Sequence, residues 1–296
     1  MVIIMNEKID KLLSSARSLK IDDKSKIVIM SDCHRGEGNS DDNFLKNEVI
    51  HEAALKHYLK EGYTYIELGD GDDMWEVKKY ENIISQHLDI FKLLREFHKQ
   101  DRLIMIVGNH DIVKKNDEVL KKYFYYYENK YTNDKEELLN DLKVDDALIL
   151  KYYDYDICLL HGHQVDLLNG TLWKLSRFLV RNLWTYLEKV GIKDPTSAAK
   201  NYNVIKKVEK RLENWSKENN KIVIAGHTHR PIYPKAGEGL YFNDGSCVHP
   251  NGITCIEIDD GYISLVKWVR SVDDNNNVII QREVIGGKTS IFKFFH

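Results

Sequence analysis

Residues able to hold a metal ion stand at the ends of five short apolar runs. Lys26-Ile-Val-Ile-Met30 leads into Ser31-Asp32-Cys33-His34, and Tyr63-Thr-Tyr-Ile-Glu-Leu68 leads into Gly69-Asp70-Gly71-Asp72-Asp73. Arg102-Leu-Ile-Met-Ile-Val107 runs into Gly108-Asn109-His110-Asp111, Tyr155-Asp-Ile-Cys-Leu-Leu160 into His161-Gly162-His163, and Lys221-Ile-Val-Ile-Ala225 into Gly226-His227-Thr228-His229. Pooled, Asp32, His34, Asp70, Asn109, His161, His227 and His229 offer two carboxylates, one amide oxygen and four imidazoles. That is too many donors for one tetrahedral zinc. They suit two five- or six-coordinate ions, one carboxylate bridging and water completing each shell. Such a pair, roughly 3.5 to 4 Å apart, polarises a phosphoryl oxygen, supplies hydroxide near neutral pH and clamps an in-line displacement, so the expected chemistry is hydrolysis of a phosphate ester or anhydride. Mixed nitrogen and oxygen donors without thiolate favour manganese, iron or zinc over calcium.

The apolar runs read as buried strands, and in open α/β sheets sites form outside the carboxyl ends of strands, where several loops converge. Strand side chains alternate, so an extended chain through Thr228 puts His227 and His229 on one face, and Cys33 is turned away from Asp32 and His34. Between the runs the apolar spacing becomes helical. Residues 6 to 20 predict a surface helix, and a second helix, capped by Asp41 or Asp42, carries Leu45, Val49, Ala53 and Leu59. A third carries Ile83 through Leu94 and holds His87 half-buried. Tyr123-Phe-Tyr-Tyr-Tyr127 lacks the interleaved Arg and Gly of a base-stacking platform and reads as packing. Residues 147 to 153 and 155 to 160 predict a hairpin; 240 to 284 predict strands of a second, antiparallel sheet. Residues 164 to 220, with Trp173, Phe178, Leu179 and Trp184 around Arg177 and Arg181, are too long for a plain crossover and read as an inserted helical cap.

With 296 residues, 43% hydrophobic and 30% charged, the chain can bury a full core. A formal net charge of -3 gives no basic field for nucleic acid, and no nucleic-acid partner is expected. The opening Met-Val-Ile-Ile-Met is too short for a signal sequence, and no stretch is long and apolar enough to span a bilayer, so the expected location is cytoplasmic, with peripheral membrane contact left open. Cys33, Cys158, Cys247 and Cys255 form no Cys-x-x-Cys pair and are expected as reduced thiols.

Asp32-x-His34, Gly69-Asp70-x-x-Asp73, Gly108-Asn109-His110-Asp111, His161-Gly-His163 and Gly226-His227-x-His229 resemble the five ordered blocks of the calcineurin-like metallophosphoesterases. The resemblance, over about residues 26 to 250, implies one domain over 1 to 296: a four-layer α/β/β/α fold, a mixed two-sheet β sandwich flanked by helices, with 164 to 220 inserted as the cap. It also implies that Asp32, His34, Asp70 and His229 hold one ion and Asp70, Asn109, His161 and His227 the other, Asp70 bridging, with manganese the first choice. His110 becomes the candidate general acid, oriented by Asp73. Trp75, the long insertion and Gly226-His-Thr-His-Arg-Pro231 are further similar to the UDP-2,3-diacylglucosamine pyrophosphohydrolases. That group has arginine where His110 stands and aspartate where His163 stands. The candidate substrate contacts are Arg35, His163, Arg177, Phe178, Arg181 and Arg230, and the expected partner is a small or lipid-linked phosphodiester or pyrophosphate. A protein phosphatase-like monoesterase and a non-catalytic module on the same fold stay open as alternatives.

Overall fold

The structure is a computed structural model that describes residues 2–129, 132–166 and 202–295. Its strands are β1 (Arg17–Ile21), β2 (Ile27–Met30), β3 (Thr64–Leu68), β4 (Leu103–Ile106), β5 (Tyr126–Glu128), β6 (Lys135–Glu137), β7 (Val144–Asp145), β8 (Ala147–Tyr152), β9 (Tyr155–Leu160), β10 (Ile222–Ala225), β11 (Tyr241–Asn243), β12 (Ile253–Asp259), β13 (Tyr262–Val272) and β14 (Val278–Ser290). The described helices are α1 (Val2–Ser14), α2 (Glu48–Lys60), α3 (Tyr80–Gln86), α4 (Leu88–His98), α5 (Asp117–Tyr123) and α6 (Tyr202–Asn219).

Two mixed sheets carry the site. One runs β1-β8-β9-β10-β11 and the other β14-β13-β12-β2-β3-β4-β7. In the second, β2, β3 and β4 are parallel neighbours; in the first, β9 and β10 are parallel. The motif-bearing runs are mostly apolar because both faces of these strands are covered, and Glu67 of β3 is buried only as the partner of Arg35. On β2, Ile27 and Ile29 meet Leu148, Leu159 and Ile224 of the facing sheet, whereas Val28 and Met30 join the layer formed with Ile50, Ala54 and Tyr58 of α2 and Phe91, Leu94 and Phe97 of α4. Ile9 and Leu13 of α1, with Val208, Leu212 and Trp215 of α6, cover the outer face of the first sheet. The layers are therefore helix, sheet, sheet, helix, and the expected four-layer architecture is the one found. Of the cap expected over 164 to 220, Tyr202–Asn219 instead packs on the first sheet as α6, and residues 167 to 201, including Trp173, Arg177, Phe178, Leu179, Arg181 and Trp184, lie outside the described residues.

Several local expectations need correction. The N-terminal helix stops at Ser14 instead of reaching 20, and Arg17–Ile21 pairs parallel with β8. Ile9 and Leu13 are buried, so this is not a surface helix. The strands after 250 do not form a separate antiparallel sheet: β12 pairs antiparallel with β2 and so extends the central sheet, while β11 joins β10 in the other. Asp41 and Asp42 cap no helix; α2 begins after Asn47. Phe124 and Tyr127 are buried, and the hairpin of β8 and β9 forms as expected. No helix among the described residues is long and apolar enough to cross a membrane.

His87 is wholly buried rather than half-buried, at the break between α3 and α4. Its Nε2 lies 2.9 Å from Asp42 Oδ2 and its Nδ1 2.7 Å from Glu48 Oε1. Burial works against its charge, but the bonds to Asp42 and Glu48 win and hold the imidazole above its ordinary pKa. A group raised by folding contributes stability that is complete below its unfolded pKa, about 6.5, and is lost as pH rises through the folded value. His87→Gln is therefore expected to cost about 1–3 kcal/mol at pH 6, in the range of charge-assisted hydrogen bonds, and distinctly less at pH 9. Urea unfolding at the two pH values checks this; an equal cost at both would contradict it.

Candidate metal centre

The carboxyl ends of β2, β3 and β4 meet those of β9 and β10, and each strand stops just short of its motif. The motif residues do not continue the extended chain. Asp32, His34, Asp70, His227 and His229 all have positive φ, between 50° and 68°. Non-glycine residues adopt this left-handed region at a cost of order 1–3 kcal/mol each, held there by the structure around them. The condition for placing His227 and His229 on one face therefore fails, and the two rings part. His229 joins Asp32 and His34, whereas His227 joins Asp70 and His161. Cys33 does turn away, its Sγ 3.7 Å from His51 Nε2 in the buried layer behind.

In the first group Asp32 Oδ1 is 3.1 Å from His229 Nε2, and His34 Nε2 is 3.3 Å from that same nitrogen. In the second, Asp70 Oδ2 is 3.2 Å from His161 Nε2. The groups touch through Asp70, whose Oδ2 is also 3.9 Å from His34 Nε2, and through Asp32, whose Oδ1 is 3.9 Å from His161 Nε2. Two close approaches demand glycine. A Cβ on Gly108 would fall 2.0 Å from Asp70 Oδ1, and one on Gly69, itself at φ +92°, would fall 2.6 Å from the His161 ring. Asp70 Oδ1 accepts the His110 N–H at 2.8 Å, which fixes the carboxylate. Asp32 Oδ2 accepts from Ser31 Oγ at 2.6 Å and from the His227 N–H at 2.8 Å.

These bonds leave Asp32 Oδ1, Asn109 Oδ1 and His161 Nε2 buried without a hydrogen-bond partner. His161 Nδ1 lies 2.8 Å from the Leu68 carbonyl, which can only accept, so Nδ1 carries the proton and Nε2 presents its lone pair inward. Lone pairs crowded at this distance repel unless a positive charge lies among them. Although burial opposes it, Asp70 and Asp32 lift His161 to about 10, and His34 rises too, chiefly through its bond to Asp32. Burial would raise Asp32, yet His229 and His161 hold it well below the usual carboxylate range. The carboxylates attract protons where a divalent ion would satisfy them, and the donor set fits such ions.

His110 stands at the rim. Its Nδ1 is 3.1 Å from Asp73 Oδ1, its ring stacks on Trp75 with centroids 4.6 Å apart, and its edge meets His34 at the same separation. Burial opposes its charge, but Asp73 and Asp70 raise it to about 9. Asp73 also accepts the N–H groups of Trp75 and Glu76. His163 is buried beside His161, at 5.5 Å between centroids, and burial together with His161 and His227 pushes it well below its ordinary value.

Arg35 is not placed for the substrate contact expected of it. It is wholly buried, its Nε 2.6 Å from Asp72 and its two terminal nitrogens 2.8 and 2.9 Å from Glu67. Arg230 is half-exposed, with its Nε 2.9 Å from Glu209 of α6. Arg177, Phe178 and Arg181 lie outside the described residues.

Sequence reasoning gave no role to Ser31, Asp111 or Asp166. Asp111 accepts from Gly108 N at 2.8 Å, Gly71 N at 3.1 Å and Lys114 Nζ at 3.0 Å, tying together the loops that present Asp70 and Asn109. Its only signal was its place beside His110. Asp111→Ala would strand these buried donors, and the expected cost is about 3 kcal/mol or more. Urea unfolding checks it, and a loss under about 1 kcal/mol would contradict the bracing role.

A family model described as the calcineurin-like phosphoesterase superfamily domain matches residues 26–260 and so spans every donor named above. Among solved structures, the chain is similar to a conserved uncharacterized protein, a predicted phosphoesterase, from Streptococcus pneumoniae, at 16% identity and TM-score 0.35, covering 88% of this chain and 97% of that one. It is also similar to a Vps29 single mutant from Entamoeba histolytica, at 14% identity and TM-score 0.39 over 88% and 99%, and to Vps29 from Chaetomium thermophilum, at 10% and 0.39 over 88% and 96%. No curated protein matches it. With the five blocks in order and the family model over most of its length, the chain belongs to the calcineurin-like phosphoesterase superfamily.

Proposed function

We propose that this protein is a phosphoesterase dependent on two divalent metal ions that hydrolyses a phosphodiester or pyrophosphate of a small or lipid-linked substrate, a class that includes nucleotides. The observation that carries the reading is the convergence of two donor groups on Asp70, with Asp32 Oδ1, Asn109 Oδ1 and His161 Nε2 left buried and unpartnered. Asp32, His34, Asp70 and His229 would hold one ion, and Asp70, Asn109, His161 and His227 the other. Manganese suits this mixed donor set, with iron or zinc as alternatives. Bound there, such ions supply Lewis-acid polarisation of the phosphoryl group and activation of the attacking water.

The rest belongs to the chain. His110, held by Asp73 and backed by Trp75, presents its remaining nitrogen to the rim and donates a proton to the departing oxygen, an effect typically worth 10²- to 10⁴-fold. Proton transfer leaves the imidazole neutral, and the Asp73 carboxylate keeps its plane fixed for reprotonation. His163, held neutral, can accept or donate one hydrogen bond to substrate without adding charge. Within this reading the chain is one domain, and of the insertion at 164 to 220 the part between Asp166 and α6 forms a cap over the non-reacting part of the substrate, α6 itself being packed on the first sheet. The pyrophosphohydrolase-like layout supports a pyrophosphate, while His110 and His163 differ from that group and leave the substrate class broader.

Protein loaded with manganese should be assayed on aryl monoesters, aryl diesters and nucleotide pyrophosphates. Turnover of diester or pyrophosphate, abolished by chelation and restored by manganese, is expected. Exclusive monoester turnover would displace the substrate assignment, and no turnover of any class would contradict an enzymatic role.

A further inference from the structure

We infer that Asp166 is a positioning residue that fixes the tautomer of His227, so that the two histidines of one ion bind through opposite ring nitrogens. This rests on the two-ion reading above. Asp166 Oδ2 lies 3.3 Å from His227 Nε2, and both side chains are buried. An ionised carboxylate only accepts, so Nε2 carries the proton and the lone pair is left on Nδ1. One His227 nitrogen lies within 4.8 Å of an Asp70 oxygen and a His161 nitrogen, a group to which Asp166 does not belong. Asp166 is thus an outer partner of the ring and not a further donor to the ion.

His161 is arranged the other way round. Its Nδ1 donates to the Leu68 carbonyl, and Nε2 faces Asp70. The asymmetry has a source in the fold. His161 directly follows the last residue of β9, within reach of the end of β3 in the facing sheet, and the Leu68 carbonyl there accepts its Nδ1–H. His227 lies beyond β10 at φ 68°, its own N–H bonded to Asp32, and its ring reaches the short 3-10 turn His163–Val165 that Asp166 closes. The Asp166 N–H in turn bonds the His163 carbonyl at 3.0 Å, which fixes where its carboxylate starts. Outer carboxylates of this kind orient a ligating imidazole and raise its basicity, and their loss typically weakens metal affinity about 10- to 100-fold.

The test uses zinc as a diamagnetic probe and ¹⁵N-histidine NMR on the full chain. In zinc-loaded wild-type protein the His227 ring should show a proton on Nε2 and the His161 ring a proton on Nδ1. Zinc titration of Asp166→Ala should show one of the two ions bound about 10- to 100-fold more weakly and the other unchanged. Asp166→Asn, whose amide oxygen still accepts from Nε2–H, should restore most of the affinity. A proton on His227 Nδ1 in the loaded wild type, which needs no variant to observe, would overturn the assignment. So would a folded Asp166→Ala protein that binds both ions as tightly as wild type. A wild-type protein that takes up no zinc and no manganese would instead overturn the two-ion reading, and this inference with it.

Discussion

Asp70→Asn is expected to lower kcat/KM on a phosphodiester by at least about 10³-fold, corresponding to about 4 kcal/mol of lost transition-state stabilisation. Asp70 reaches both donor groups, at 3.2 Å from His161 Nε2 and 3.9 Å from His34 Nε2. Asp32 Oδ1 also lies 3.6 Å from His34 Nε2 and 3.9 Å from His161 Nε2, but its nearest imidazole is His229, at 3.1 Å. An amide has nearly the same shape, so the fold should survive, but the charge shared between the two positions is gone. Both ions should weaken together, whereas Asn109→Ala should weaken only one. Parallel measurement of metal content and steady-state rates checks this. An Asp70→Asn protein that keeps two ions, or stays within about tenfold of wild type, would remove the bridging role.

His110→Ala is expected to retain both ions and yet lose at least about 100-fold in turnover on substrates with poor leaving groups, the low end of general-acid effects. Nitrophenolate departs without a proton, so aryl esters should lose far less. The ring is placed for this by Asp73 on one side and Trp75 behind it, and neither contact involves a donor group of the centre. The check is a series of esters with graded leaving groups. Equal losses across the series, at unchanged metal content, would show that His110 braces a loop and transfers no proton.

The strand ends were legible because a strand covered on both faces is apolar at most positions, and a break from such a run into Gly, Asp, Asn or His is visible without any structure. What the sequence did not carry was backbone conformation at the break. Alternation was the only available guide, and it fails at Asp32, His34, Asp70, His227 and His229, each turned into the left-handed region. Pairing partners were equally hidden. The pattern at 253 to 258 says strand, but nothing in it says that β12 lies beside β2, more than 200 residues earlier in the chain. Arg35 looked available because it follows His34 in a polar loop. Its burial depends on Glu67 and Asp72, whose charges meet it only in the folded chain. The helix predicted to reach residue 20 failed for a related reason: Leu19 fits a helical face and a strand equally, and pairing with β8 decided between them.

The most direct test of the account is the metal content of protein stripped with chelator, reconstituted with excess manganese and freed of loosely held ions. The donor geometry predicts two manganese ions per chain. A value of one or none, in protein whose folding is intact, would contradict the two-ion centre on which the proposed hydrolysis depends.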